Sequence, residues 1–567
     1  MSALDALAPG DRAVGGRPQT KAPRTHASRG LRLLYAITAR KRGTDTRLNT
    51  GVPYGDAVTV RRPLLATALS VALLTSAVGP AAMAQPTSPS STPVRDVTPQ
   101  LASFYGQALD WQPCARSMQC AWLTVPLDYS QPLGQTIRIR VSKVPASGAT
   151  EARQGSLVVN PGGPGASGLD FASYIAGSVA PEVAEQFDVV GFDPRGVGES
   201  APITCMTGRQ TTRWLATDLA PDSLAEQRTI MTRARQLARG CLRMSPQVAR
   251  FVGSEFTVQD MDILRAALGD PHLNLLGFSY GTYLGTLYAE EFPDTVGRFV
   301  LDGAVDPSLD IMGVSEGQSR GFQLAMSRFA KDCAPRPTCA WRGSAKRVLR
   351  GINTLLADLE RRPLPTRTGR PLIQADAVTA LFYSMYSPIL WPNLRLSLTQ
   401  AARGDGLPLQ QLADFANDKT GPHSYATNMA SAFPAISCSD TPAAPDAAGL
   451  AAAAADWSRK AAVPVMAQAM SWSNAPCSVW YQNGTRAPAP ANSTTTAPIL
   501  IVGTTYDPAT PYAWSRALNK QLPSSTLLTY RGDGHTAYGN GERCVDAAVS
   551  EYLLTGALPP SGLVCGA

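Results

Sequence analysis

Three residues far apart in the chain have the types and surroundings for covalent acyl transfer. Ser279 stands in Gly277-Phe278-Ser279-Tyr280-Gly281, between an apolar run at 273–278 and an apolar, helix-compatible stretch that continues to about Glu291. A serine hydroxyl is a weak nucleophile unless a sharp strand-to-helix turn lifts it into the open and a base removes its proton. Glycines two positions to either side permit such a turn. The helix start beneath it favours developing negative charge. The competing reading is a tight glycine turn whose serine only caps the helix.

Four histidines are available as the base. His26 lies in the N-terminal leader, His272 immediately precedes the nucleophile strand, and His423 sits in a polar Gly-Pro-His-Ser stretch. His535 stands in Gly532-Asp533-Gly534-His535-Thr536, a glycine-flanked loop after the last expected strand, where it is free to reach a neighbouring loop. The base needs a carboxylate to orient it. Asp507, in Gly503-Thr504-Thr505-Tyr506-Asp507-Pro508-Ala509-Thr510-Pro511, directly follows the preceding strand. It also reads as an N-cap or Asx-turn residue, and Asp533 is the rival acid, although two residues from His535 it is poorly placed to reach back to the ring. Asn160-Pro161-Gly162-Gly163-Pro164-Gly165 follows another strand, and its glycines let backbone N–H groups approach a substrate oxygen. The expected oxyanion donors are the N–H groups of Gly163 and Tyr280. A phosphate-binding glycine loop is the alternative, but no Lys-Ser/Thr follows and no strand-linked G-x-G-x-x-G is present.

These residues must be carried by a sheet. Apolar, β-branched runs at 123–125, 136–141, 156–160, 187–192, 273–278, 298–301, 499–503 and 525–530 are bounded by Gly and Pro and separated by helical stretches. The first two suit an antiparallel pair. The others suit buried parallel strands covered on both faces, so the expected fold class is α/β with an eight-stranded, mostly parallel sheet. In such sheets catalytic groups gather at the carboxyl ends of the strands.

The chain has 567 residues and a formal net charge of +8. All of that excess lies in residues 1–84, which carry twelve Lys/Arg and four acids; the remainder has 39 of each sign. A body without net charge gives no support to nucleic-acid binding. Within the leader, Arg61-Arg62 precede an apolar stretch at 64–78 and the small residues Ala82-Met83-Ala84. This is the layout of a secretory signal at about 61–84, cut after Ala84. Arg61-Arg62 match a twin-arginine signal weakly, and the apolar part is short for a membrane anchor. Residues 1–60 lack apolar periodicity, and no Met occurs between Met1 and Met83. A true translation start near Val58 or Val60 is the expectation.

All ten cysteines follow the expected cut, an even number that suits disulfides in an exported protein, periplasmic or extracellular. Sequence proximity favours Cys114 with Cys120, Cys205 with Cys241, Cys333 with Cys339, Cys438 with Cys477 and Cys544 with Cys565. A zinc site is not expected, since no C-x-x-C pair exists and histidines are few.

The motifs together resemble the α/β-hydrolase peptidases of the prolyl and tripeptidyl aminopeptidase family, in the secreted branch with a tripeptidyl-aminopeptidase-like C-terminal segment. The carrying stretches are Asn160 to Gly165, Phe192-Asp193-Pro194-Arg195-Gly196-Val197-Gly198-Glu199-Ser200, Gly277 to Thr282, Asp302-Gly303-Ala304-Val305-Asp306-Pro307, Ala435-Ile436-Ser437-Cys438-Ser439-Asp440, Gly503 to Pro511 and Gly534-His535 with Cys544 downstream. Pro161 stands where the narrower prolyl group usually begins its loop with His, which leans toward the tripeptidyl branch. The resemblance implies a helical lid between the sixth and seventh strands. The 228 residues from Ser279 to Asp507, against 28 from Asp507 to His535, leave room for it. The expected organisation is a leader at 1–84, hydrolase core at 85–306, lid at 307–497 with helical patterns at 321–330, 347–360 and 447–462, and core again at 498–567. The lid either packs only on itself or roofs the pocket.

The implied activity is a cofactor-independent serine exopeptidase that releases short N-terminal peptides. Its expected partners are peptides with free N-termini, with neither nucleic acid nor a stable membrane anchor. A free α-ammonium calls for a carboxylate near the nucleophile. Asp440 and Glu199 are the candidates; Asp440 also reads as an Asx-turn residue, and Glu199 as a partner of Arg195. An esterase on the same machinery and a catalytically silent binding module are the competing functions.

Overall fold

The computed structural model describes residues 98–566 except Arg116, Asn483 and Thr485. The expected leader, its signal segment and His26 lie outside the described residues. Twelve strands occur among the described residues: β1 Gln112–Ala115, β2 Met118–Pro126, β3 Thr136–Val144, β4 Ser156–Asn160, β5 Asp188–Phe192, β6 Leu273–Phe278, β7 Val296–Asp302, β8 Lys419–Gly421, β9 Ser424–Tyr425, β10 Ile499–Tyr506, β11 Ser525–Asp533 and β12 Val564–Cys565. β8 and β9 form a separate hairpin. The other ten make one sheet in the order β1-β2-β3-β5-β4-β6-β7-β10-β11-β12. Pairing is antiparallel from β1 through β3 to β5 and parallel from β5 to β12.

The continuous apolar runs are explained by the two faces they fill. Val158, Val190, Leu275, Phe299 and Ile501 enter one core, while their neighbours Val159, Val189, Leu276, Val300 and Leu500 enter the core on the opposite face. Successive side chains point to opposite faces of a strand, so a sheet covered on both sides has no polar positions to alternate. Each such Val or Leu contributes about 1.5–3 kcal/mol by burial.

The eight expected strands are present, and the sheet extends beyond them at both edges. β1 is exposed along its whole length, and β12 has two residues. Neither carries an apolar pattern, and each is joined to its neighbourhood by a disulfide, Cys114–Cys120 and Cys544–Cys565. Cys205–Cys241, Cys333–Cys339 and Cys438–Cys477 complete the five pairs that proximity favours. No cysteine is free among the described residues, so none is left as a thiolate ligand for a metal. Five disulfides fit an exported protein. No helix among the described residues is long and apolar enough to cross a membrane.

Between β7 and β10 the described residues form eight α-helices: Ile311–Cys333, Ala345–Arg361, Gln374–Met385, Trp391–Ala401, Leu407–Ala416, Met429–Asp440, Ala447–Ser458 and Pro464–Trp472. The three helical patterns read in the sequence fall on the first, second and seventh. Phe322, Phe329, Ile352, Leu381, Leu394 and Met466 give this insertion a core of its own. It does not pack only on itself. Ala432, Ala435 and Ile436 pack against Val197, Leu237 and Val252 of the hydrolase body, and Leu450 and Trp472 pack against Ile230 and Met231. A second helical segment, absent from the sequence reading, lies between β5 and β6; it contains Gly208–Leu215, Leu224–Met244 and Ser254–Ala267. The connections after β4 and β6 depart on opposite sides of the sheet, because β4 leads to β5 on one side and pairs with β6 on the other. Their diverging ends open a crevice at the carboxyl edge.

Candidate active site

Ser279 joins β6 to the helix Tyr280–Glu291 with φ +55° and ψ −122°, a conformation that L-residues adopt only under constraint. The flanking glycines make it possible. A Cβ on Gly277 would stand 2.6 Å from the Gly281 carbonyl oxygen, and one on Gly281 would stand 2.9 Å from that of Asn160. The Ser279 side chain makes no capping hydrogen bond to its helix, so the capping reading does not hold. Its backbone N–H donates to the Asp302 carbonyl at 2.9 Å, which fixes the turn to the end of β7.

Asp507 follows β10 and is 3 % exposed. Oδ1 accepts the N–H groups of Ala509 and Thr510 at 2.9 and 2.8 Å, and Oδ2 accepts the Thr510 hydroxyl at 3.0 Å and the Thr536 N–H at 3.1 Å. Asp507 thus forms the turn and at the same time holds both oxygens 2.9 Å from His535 Nδ1. Burial alone would lower the His535 pKa. The charge and hydrogen bond of Asp507, together with the charge of Asp302, outweigh burial and raise it. His535 is held from the other side as well, its N–H donating to the Tyr386 carbonyl at 2.8 Å with the Tyr386 ring edge-on at 5.4 Å.

The ring of His535 stands beside Gly303, where an added Cβ would meet His535 Cε1 at 3.3 Å. Gly303 directly follows Asp302, whose carbonyl holds the Ser279 amide, so His535 and Ser279 share one strand end. No hydrogen bond joins the Ser279 hydroxyl to His535 among the described residues; such contacts tighten when substrate is bound. The other polar candidates go elsewhere. Asp533 pairs with Arg328 of the insertion, His272 is exposed, and exposed His423 contacts the Thr212 hydroxyl at 3.0 Å.

The glycine loop after β4 closes against this turn. A Cβ on Gly162 would lie 2.9 Å from Ser279 Cβ, so only glycine allows the loop to approach so closely. Asn160 Oδ1 accepts the Gly162 N–H at 2.9 Å and fixes the bend. Gly163 and Tyr280 line the same cavity as Ser279. Among the described residues, neither of their N–H groups is engaged in a hydrogen bond.

That cavity has a volume of about 470 Å³. Its walls combine the strand ends with apolar residues of the insertion, such as Phe322, Phe382 and Phe433, and with Trp214 and Leu219 of the second helical segment. Asp440 also lines it, 8 % exposed, at the end of the helix Met429–Asp440. Its carboxylate accepts the Ser254 N–H and hydroxyl, both at 2.6 Å, and the Tyr280 hydroxyl at 2.7 Å. Burial pushes its pKa up to about 6 against these donors. The expected Asx-turn is thus replaced by a cap on the helix Ser254–Ala267. Glu199 is half-exposed, pairs with Arg140 at 3.4 Å, and is absent from the cavity wall. Its anticipated partner Arg195 is instead fully buried and held by both oxygens of Asp260 at 2.7 and 2.6 Å.

Sequence reasoning missed Ser254, the side chain of Tyr280, Tyr386 and Thr510 as parts of this site. Ser254-Glu255 before an apolar pattern is a helix-start signal, and Thr510 lies inside a motif already singled out. Tyr386 and Ser254 join the site only by tertiary packing.

A family profile described as alpha/beta hydrolase fold matches residues 155–388, and one described as TAP-like protein matches residues 463–565. The chain is 37 % identical over 523 residues to Carboxylesterase B of Mycobacterium tuberculosis, covering 89 % of this chain and 98 % of that one. It is 35 % identical over 483 residues to serine protease Hip1 of the same organism, covering 81 % and 91 %. Against tripeptidyl aminopeptidase of Streptomyces coelicolor the identity is 32 % over 477 residues, covering 81 % and 86 %.

Proposed function

The chain belongs to the α/β-hydrolase family with a TAP-like C-terminal segment, and on that premise we propose that it is an exported serine exopeptidase releasing short peptides, chiefly tripeptides, from free N-termini. The observation that carries the chemistry is the Asp507–His535 pair, both oxygens 2.9 Å from Nδ1, beside the strained Ser279 turn. The leader at 1–84 supplies the export signal, and the five disulfides accord with that route.

The reaction runs through an acyl-enzyme. With Nδ1–H donated to Asp507, the neutral imidazole presents Nε2 to the Ser279 hydroxyl and removes its proton as Oγ attacks the scissile carbonyl. The tetrahedral oxyanion takes the free N–H groups of Gly163 and Tyr280. As the C–N bond breaks, the imidazolium returns the proton to the departing amine, and water repeats the sequence on the ester. Asp507 stabilises the imidazolium in both halves.

Selection of chain ends rests on the roof and on Asp440. The insertion covers the cavity, so an extended chain entering it ends there. Asp440 offers the cavity wall its one remaining acceptor direction for an α-ammonium, beside Tyr280, the neighbour of the nucleophile. The tripeptide step is supported by the TAP-like match and by the Streptomyces relative's name. A second reading, a carboxylesterase, is favoured by the largely apolar cavity and by the relative named Carboxylesterase B.

A tripeptide anilide, its N-acetylated form and a short acyl ester separate the two. Anilide cleavage lost on acetylation supports the exopeptidase, whereas turnover of the ester alone overturns it in favour of the second reading.

A further inference from the structure

Asp302 ends β7 inside the Asp-Gly-Ala-Val-Asp-Pro motif, fully buried and outside the Ser-His-Asp set. Its main chain and its side chain act in opposite directions. The carbonyl accepts the N–H of Ser279 at 2.9 Å. The carboxylate accepts the N–H of Ala537 at 3.1 and 2.9 Å and that of Tyr538 at 2.8 Å. Ala537 and Tyr538 are the second and third residues after His535, 235 and 236 positions from Asp302 in the chain.

The loop that carries His535 is anchored at its two ends by Arg328 on Asp533 and by the Gly539 N–H on Asp546 at 2.8 Å. Gly534, Thr536, Gly539 and Gly541 all have positive φ, and for Thr536 at +65° the conformation is strained. Its four consecutive amides at 535–538 are shared among three neighbours. His535 N–H goes to the Tyr386 carbonyl of the insertion, Thr536 N–H to Asp507, and the last two to Asp302. Ala537 and Tyr538 are buried, so in the native protein their N–H groups depend on the carboxylate for a partner.

We infer that Asp302 is a positioning residue of the active site, one residue that holds the nucleophile turn through its carbonyl and the histidine loop through its carboxylate, and so fixes the distance between them. This rests on the reading of Ser279 and His535 as nucleophile and base. The charged groups around Asp302 are Asp507 and His535. Burial raises its pKa to about 7 while the two amides oppose the rise, and its charge in turn raises that of His535.

Asp302→Asn keeps the shape and an acceptor oxygen but removes the charge. With the concentration of active sites counted by a fluorophosphonate, kcat per site on the tripeptide anilide is expected to fall about ten- to a hundredfold while KM stays within about twofold, because a misplaced base costs rate and not binding. The acid limb of kcat/KM is expected to move to lower pH, since His535 loses a charge that favours its protonation. A lost fold contact alone would lower Tm but leave both per-site quantities in place, and that result overturns the inference. Should the Asn variant not fold, Asp302→Ser, which leaves room for water at the two amides, gives the same readouts. Ser279→Ala, assayed alongside, addresses the underlying site: undiminished hydrolysis there removes the premise, whereas its loss with an unaffected Asp302→Asn removes only the role of Asp302.

Discussion

Asp507 and Asp440 are both buried carboxylates associated with one cavity, and they reach it by different routes. Asp507 belongs to a strand end. Its donors at Ala509 and Thr510 lie two and three residues away, and its base lies 28 residues on, in the loop after the adjacent strand. Asp440 belongs to the insertion, and its donors at Ser254 and Tyr280 are 186 and 160 residues away in two other elements. The first carboxylate faces a histidine that, in the proposed reaction, becomes a cation. The second accepts from neutral donors, and burial holds its pKa at about 6. In the proposed reaction the sheet edge performs the bond chemistry and the roof reads the end of the substrate.

The comparison is broken most severely at the sheet edge. Ser279→Ala is expected to lower kcat/KM by about 10⁴-fold or more on every substrate, ester and peptide alike, as removal of a triad nucleophile does elsewhere. Asp507→Asn should lower kcat by about 10³–10⁴-fold, because the amide presents a donor to Nδ1 and selects the wrong tautomer. Steady-state rates on the anilide and the ester measure both, and equal losses on the two substrates are the expected signature.

At the roof the signature differs. Asp440→Asn should reduce kcat/KM for free-amine peptides by about 10- to 100-fold, in line with about 1.5–3 kcal/mol for a charge-assisted hydrogen bond, while the acyl ester is unaffected. An equal loss on both would mean that Asp440 serves the nucleophile turn through Tyr280 instead. Tyr280→Phe removes one of three donors to Asp440, worth about 1 kcal/mol, so a roughly fivefold change in KM for peptides is expected.

The pH profile sharpens the same contrast. His535 must be neutral to act as a base, and its raised pKa puts the acid limb of ester hydrolysis above the usual histidine value. Asp440 must be ionised to hold an ammonium, so KM for peptides should rise as pH falls through about 6. In the Asp440→Asn variant the second effect should vanish and the first remain.

Legibility followed distance along the chain. The Ser279 pentapeptide, the turn around Asp507 and the glycines around His535 are local patterns whose backbone demands are met by nearby residues, so their types and spacing were informative. The five disulfides were legible for the same reason, the longest separation being 39 residues. β1 and β12 were not, since an exposed four-residue strand and a two-residue strand bury too little to leave a pattern. The helices at 374–385, 391–401 and 407–416 were also missed. Two of them have Pro in the first turn, and their apolar faces are interrupted by polar residues such as Arg395 and Gln410 that are buried and hydrogen-bonded.

The sequence by itself determined the family, the sheet that carries the chemistry and the three residues to examine, because strand periodicity and turn residues are constraints that act over a few positions. Only the tertiary structure decided which carboxylate faces which partner. Glu199 went to Arg140, Arg195 to Asp260, Asp533 to Arg328, and Asp302 emerged between the Ser279 turn and the loop of His535. A buried charge must find its donors wherever the fold brings them, and that pairing is set by packing across hundreds of residues, which no local pattern records.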